Sequence, residues 1–353
     1  MEVRGRVIAE PVGDVTATLG EGPYWVPGED RLLWVDIHEG QLHRTDVSSG
    51  VTDSVKLDPG GRSGPAGGSV GAGWSGKQGR GSTVSAAFPV AGGGTLIAGG
   101  SKLTLRFPDG AGGQRPARLV AEVPAREGVR FNDGAVDPAG RVWIGSMHTG
   151  ESEPLGELYR LDPGNVLTPV VRKVTVSNGL GWSPDGARMY YADSPTRKID
   201  MFDYDPATGE AFSRRMFADL RYADGFPDGL TVDADGCVWV AMWGGAVLRR
   251  FTPAGKPDVM LPLPVARPTS CAFGGPDLSE LYVTTANIGL SDTARAAQPL
   301  AGRLLRLRPG PFGLPSATGF ALLPVSPEPP DGAAASRGPA PGGGSAPSGP
   351  AAR

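Results

Sequence analysis

One feature constrains this chain more than any other: it repeats. Six times, a turn rich in Gly, Asp or Pro leads into a short apolar strand and then a second strand that ends in another turn. The copies read EDRLLWVDIHEGQLHRTDVSSG, GGTLIAGGSKLTLRFPDG, GRVWIGSMHTG…GELYRLDPG, GARMYYADSPTRKIDMFDYDPATG, GCVWVAMWGGAVLRRFTPAGK and LSELYVTTANIGL…GRLLRLRPG. Their turns fall near Asp30, Gly93, Gly140, Gly186, Gly236 and Ser279; after a first interval of about 63 residues, the spacing is about 43 to 50 residues. Strand repeats of that length are blade repeats of β-propellers. Val, Leu, Ile, Trp and Tyr between Gly, Asp and Pro boundaries mark strands, and no stretch of a dozen residues keeps a helical period. The expected fold is all-β, a six-bladed β-propeller.

The long first interval has a visible cause. Gly 55 and Pro 35 are high for 353 residues, and much of that excess sits in two places. A Gly-rich insert at about 59–82 separates the first two repeats, and a Pro/Gly/Ala/Ser-rich tail occupies 324–353. Neither carries enough apolar surface to offset the entropy of ordering, so the propeller is expected over 1–323 with a flexible insert and a disordered tail. The motif GGSVG at Gly67–Gly71 matches a nucleophile elbow, but that elbow needs a strand before it and a helix after it, which a Gly-rich insert does not supply.

Charge and cysteine usage exclude several classes. A net charge of −3 leaves no basic footprint for nucleic acid. The apolar runs are too short to span a bilayer, and MEVRGRVIAEPVGD lacks the apolar core of a signal peptide. Two cysteines, Cys237 and Cys271, cannot form a disulfide framework and read as buried small hydrophobes. The expectation is a cytoplasmic protein, a monomer or weak homo-oligomer, with no nucleic-acid or membrane partner.

In a propeller the first strand of each blade lines a central channel. Asn132 in RFNDG, Asn178 in VSNGLGWS and Asp228 in FPDGL each stand eight residues before a turn glycine, one repeat period apart. Glu21 in LGEGPYW is nearly in phase with them, while the second and sixth blades offer small residues near Ser85 and Cys271. Asn-Gly and Asp-Gly are common turn dipeptides, but a recurrence at the repeat period points to side chains converging on the axis. Two carboxylates and two amides are oxygen donors suited to a hard divalent cation such as calcium, magnesium or manganese. The lack of His and Cys at most of these positions argues against structural zinc, and leaves a catalytic divalent ion of another type open. DADG at Asp233–Gly236 is read as a blade turn, and Trp25, Trp34, Trp143, Trp182, Trp239 and Trp243 as packing between blades.

The same residues carry a family resemblance. LGEGPYW, RLLWVDI, RFNDGAVDPAGRVWIGSM, SNGLGWSPDG, YYADS, FDYD, PDGLTVDADGCVWVAMWGG and PTSCAFGG occur in order between Leu19 and Arg308. This series resembles the regucalcin/gluconolactonase (senescence marker protein) family of six-bladed propeller lactonases. The resemblance implies one divalent metal ion (calcium, zinc, magnesium or manganese) held by Glu21, Asn178 and Asp228. It implies Arg130 and Asn132 as substrate-binding residues, and hydrolysis of sugar lactones to hydroxy acids. Asp228 is then the candidate catalytic base beside a Lewis-acidic cation. The chain departs from the family after Gly145-Ser146-Met147, where HTGESEPLGELYR brings His148, Glu151 and Glu153 in place of an early glutamate. Two alternatives share the metal: hydrolysis of other esters or phosphotriesters, and a non-catalytic calcium-binding propeller.

Overall fold

A computed structural model describes residues 7–57, 83–91, 93–108 and 116–321. Among these residues the strands form six four-stranded antiparallel sheets. Their first strands are Gly20–Val26, Ala86–Pro89, Val129–Val136, Ser177–Trp182, Phe226–Val232 and Pro268–Gly274. These strands touch one another in sequence order around a closed ring, so each sheet is a blade and the first strands line a central channel. The insert at 59–82, with its GGSVG, and the tail at 324–353 lie outside the described residues.

Blade composition follows depth. The second strands, such as Arg31–Asp36, Val142–His148, Arg188–Asp193 and Val238–Trp243, are almost wholly buried because neighbouring blades cover both faces. They therefore read as continuous apolar runs, LLWV, VWI, MYYA and VWVAM, and do not alternate. The fourth strands, such as Thr52–Lys56 and Glu210–Asp219, are mostly exposed and carry charges, which discourages edge-to-edge pairing with other chains.

Trp34, Trp143 and Trp239 are fully buried in second strands. Trp239 donates through Nε1 to Asp233 at 2.8 Å, and the same carboxylate accepts the backbone N–H of Asp235 and Cys237 and the Nε of Arg250. DADG is thus a blade turn closed by its own aspartate. The turn positions Asp30, Gly93, Gly140, Gly186 and Gly236 all have positive φ, and in the sixth repeat Leu278 takes that role beside Ser279.

Three features were not visible in the repeat. The sixth blade takes its outer strand from the other end of the chain: Glu10–Val12 pairs with Leu304–Leu307. A pattern search sees each repeat as complete in itself, so it misses a strand borrowed across the whole chain. A single exposed helical turn and a half, Asp292–Ala297, interrupts that blade, capped by the Ser291 side chain at 3.2 Å from the Ala294 N–H. Finally, the segment from Gly313 to Ala321 crosses one end of the channel. Gly313 bonds to Leu278, Ala317 accepts from the Tyr24 hydroxyl, and Phe320 and Ala321 bond to Pro89 and Gly140. No helix among the described residues is long and apolar enough to cross a membrane.

Candidate metal and substrate site

Asn and Asp start these buried strands because the strands are bulged there. Phe131 pairs with Ser146 and Gly134 with Ile144, so Asn132 and Asp133 together face Gly145 alone. The first strand of blade five slips in the same way around Asp228 and Gly229, that of blade four at Gly179 beside Asn178, and that of blade one just after Glu21. A bulge twists the strand locally and re-aims a side chain that the pleat would send elsewhere. Blade two, which contributes no acidic or amide residue, pairs Ala86–Pro89 with Thr95–Gly99 without a shift.

The glycines that follow the site residues do not make turns here. A Cβ on Gly179 would sit 2.6 Å from the Asp228 carbonyl oxygen, and one on Gly229 would sit 2.0 Å from Ser270 Oγ. Each strand passes so close to its neighbour in the ring that no side chain fits. Asn-Gly and Asp-Gly are therefore a polar residue facing the channel and a contact residue facing the next blade.

Glu21, Arg130, Asn132, Asn178 and Asp228 all line one cavity of about 280 Å³. The five residues singled out in the sequence are thus brought together. Asn178 donates through Nδ2 to Ser194 Oγ at 2.8 Å, and that hydroxyl donates to the Pro227 carbonyl at 2.6 Å. The amide is pinned by its nitrogen, which fixes where its oxygen points. Asn132 donates to that oxygen and to the Ser177 carbonyl, both at 2.9 Å, and accepts from Arg130 Nη1 at 2.8 Å.

Electrostatics set the character of the site. Burial raises the proton affinity of Glu21 well above the usual carboxylate range; the charge of Asp133 adds to this, and the Gly22 N–H and Arg130 oppose it. Asp228 is raised likewise, by burial first and then by the charges of Glu21, Asp133 and Glu151. Burial pushes Asp133 up to about 6 and Arg130 down to about 10. Several carboxylates therefore crowd a desolvated channel in which Arg130 is the one arginine among the described residues on the cavity wall. Charges in such a place need a counter-charge or must be neutralised.

A divalent cation fits this donor set. Glu21 and Asp228 would supply charge and Asn178 a pre-oriented neutral oxygen, the oxygen-only chemistry of hard cations. Among the described residues no three His, Cys, Asp or Glu side chains cluster closely enough to hold a metal by themselves. The fit therefore depends on the amide oxygens.

Some wall residues were missed or misread. Trp243 lines this cavity together with Phe226, so its reading as packing between blades is corrected. It is the last residue of its strand and only partly buried. Ser194, the last letter of YYADS, is also on the wall, as is Glu151, whereas neither Glu153 nor His148 is. Glu151 has φ 56°, a turn geometry that its sequence neighbourhood does not announce. A larger cavity of about 440 Å³ lies under the 314–318 segment and shares no wall residue with the first; Asp133 is its one carboxylate among the described residues. Asn132 and Asp133, adjacent in the bulge, therefore face different cavities.

Residues 19–287 match the model of the SMP-30/gluconolactonase/LRE-like region. The chain belongs to this family. The chain is similar to regucalcin of Xenopus laevis, 35% identical over 84% of this chain and 93% of that protein. The pentonolactonase of Haloferax volcanii is 34% identical over 86% of this chain and 95% of the relative. Among solved structures, a calcium-binding regucalcin from Agrobacterium tumefaciens superposes with TM-score 0.78 at 27% identity, covering 90% of this chain and 99% of that one. The family match spans the first strands of all six blades, so every site residue named above falls inside it.

Proposed function

We propose that this protein is a metal-dependent lactonase that opens sugar-type lactones to hydroxy acids. The observation that carries the reading is the meeting, in one cavity, of two buried carboxylates, a pinned amide, and a polar pair, Arg130 and Asn132, able to hold hydroxyls. The pentonolactonase of Haloferax volcanii supports the reaction class, and the calcium-binding Agrobacterium regucalcin supports calcium as one candidate ion.

Glu21, Asn178 and Asp228 would hold the ion, which when bound supplies Lewis-acid polarisation of the lactone carbonyl. Asp228 accepts a proton from the water that attacks the carbonyl carbon, a role within general-base chemistry. As the tetrahedral intermediate collapses, the ring C–O bond breaks. The proton then passes to the leaving alkoxide, giving a hydroxy acid. Arg130, held on Asn132 and on the Phe131 carbonyl at 2.8 Å, orients the ring hydroxyls so that the carbonyl meets the water in one pose.

The test is hydrolysis of a lactone panel by metal-stripped protein, followed with a pH indicator, as Ca²⁺, Mg²⁺, Mn²⁺ and Zn²⁺ are restored singly. Turnover that returns with metal and disappears in Asp228→Ala supports the reading. Metal binding with no lactone opened would move it to other esters or to a binding role.

A further inference from the structure

Side chains two residues apart in a strand face the same way. The residue two before each candidate ligand or amide therefore stands one step nearer the cavity mouth. Those residues are Leu19, Arg130, Val176 and Phe226, and all four line the cavity. One is a cation and three are apolar. At this level the wall offers apolar contact from three blades and a hydrogen-bonding group from one.

The apolar side is built around Phe226. It is 39% exposed, unusual for a large aromatic residue, and is paired across the strands with Trp243, which lines the same cavity. Each ring has a guanidinium over it: Arg197 at 4.1 Å from the Phe226 centroid and Arg267 at 5.2 Å from that of Trp243. Arg197 is in turn tied to the Ala223 carbonyl at 3.1 Å. Cation–π contacts of this kind hold exposed rings in place. The two rings are thus fixed wall elements of the cavity that the polar pair also lines.

Resting on the lactonase reading, we propose that the preferred substrates are lactones bearing an apolar, ideally aromatic, substituent. Phe226 and Trp243 hold that group while Arg130 and Asn132 hold the polar edge. The cavity volume of about 280 Å³ suits a single lactone ring with one such group. An aromatic substituent gains ring–ring contact as well as burial, whereas a hydroxyl placed against the same wall loses hydrogen bonds to water. Phe226 and Trp243 are therefore specificity-determining residues that, among the lactones this site opens, favour those carrying such a group over the fully hydroxylated ones.

The experiment compares γ-phenyl-γ-butyrolactone with ribono-γ-lactone, which share a ring and differ in substituents. The metal-loaded full chain is assayed as wild type, Phe226→Ala and Trp243→Leu. The ratio of kcat/KM for the phenyl over the hydroxylated lactone should exceed one in the wild type. It should fall about tenfold in Phe226→Ala, through KM. A ratio below one, or one that neither substitution changes, overturns the proposal. Calorimetry with the corresponding phenyl lactam, which resists hydrolysis, separates the two readings. Tight lactam binding that weakens about tenfold in Phe226→Ala, with no lactone opened, keeps the aromatic wall and overturns the lactonase. Turnover with no dependence on Phe226 does the reverse.

Discussion

Asn132 and Asn178 are joined side chain to side chain: Nδ2 of the first donates to Oδ1 of the second at 2.9 Å, across 46 residues of sequence and from one blade to the next. The bond makes the orientation of a candidate ligand depend on its neighbour. A group that orients a ligating side chain typically contributes ten- to a hundredfold in metal affinity. Asn132→Leu should therefore weaken Ca²⁺ or Mn²⁺ binding by about that factor while the fold persists. Titration calorimetry against wild type checks this, and an unchanged affinity would sink the assignment.

Two aspartates act on the site from outside it. Asp36 accepts the backbone N–H of Thr18 and Leu19 at 2.7 and 3.2 Å. Asp193 accepts those of Thr175 and Val176, the latter at 2.9 Å. Each carboxylate closes the end of its blade's second strand and grips the segment leading to Glu21 or Asn178. An Asp193→Asn amide would turn a donor toward one of these N–H groups. The expected cost is roughly 2 kcal/mol, read as a lowered thermal midpoint, together with weaker metal binding. Val170→Ala, a change away from this latch, should lower metal affinity much less.

Gly179 offers a steric test of the ring. Its absent side chain leaves room for the Asp228 backbone oxygen, which an added Cβ would approach to 2.6 Å. A backbone oxygen cannot swing away as a side chain can. Gly179→Ala should therefore lose about 3 kcal/mol of stability or more, whereas Gly22→Ala meets no atom within 4 Å and should lose only what its φ of 56° imposes. Chemical denaturation of the pair decides it. Equal losses would mean that the blades relax apart.

These glycines also show what a sequence can and cannot disclose. The period of the repeat gave away the blade number and the phase of Asn132, Asn178 and Asp228, because both follow from counting along a regular element. The bulges that aim those residues leave no trace of their own, since a residue added to one strand of a pair changes no local preference. Taken singly, the Asn-Gly and Asp-Gly pairs match turn dipeptides, and only their recurrence sets that reading aside, because sequence reports the conformational freedom of glycine and not the proximity of a neighbouring blade. Trp243 was misread for a similar reason. It lies on the same strand as the buried Trp239, four residues further on, and only the end of the strand meets the cavity. The strand Glu10–Val12 was invisible because its partner lies at the far end of the chain.

Stability should depend on pH through His43. Its ring is buried against Trp34, centroid to centroid 4.2 Å, and Nδ1 lies 2.7 Å from Ser54 Oγ. Nε2 has no hydrogen-bond partner among the described residues. Burial pushes the imidazole down to about 4, against the opposing charge of Asp36. In the unfolded chain the ring titrates near 6.5. Between those values the unfolded state binds the extra proton, so stability is fully present above about 6.5 and is lost as pH falls toward 4. By pH 5 the loss from this group is about 2 kcal/mol. Wild type should thus melt at a clearly lower temperature at pH 5.0 than at pH 7.5, and His43→Leu should show a smaller drop over the same interval. Identical slopes in the two proteins would place the acid sensitivity elsewhere.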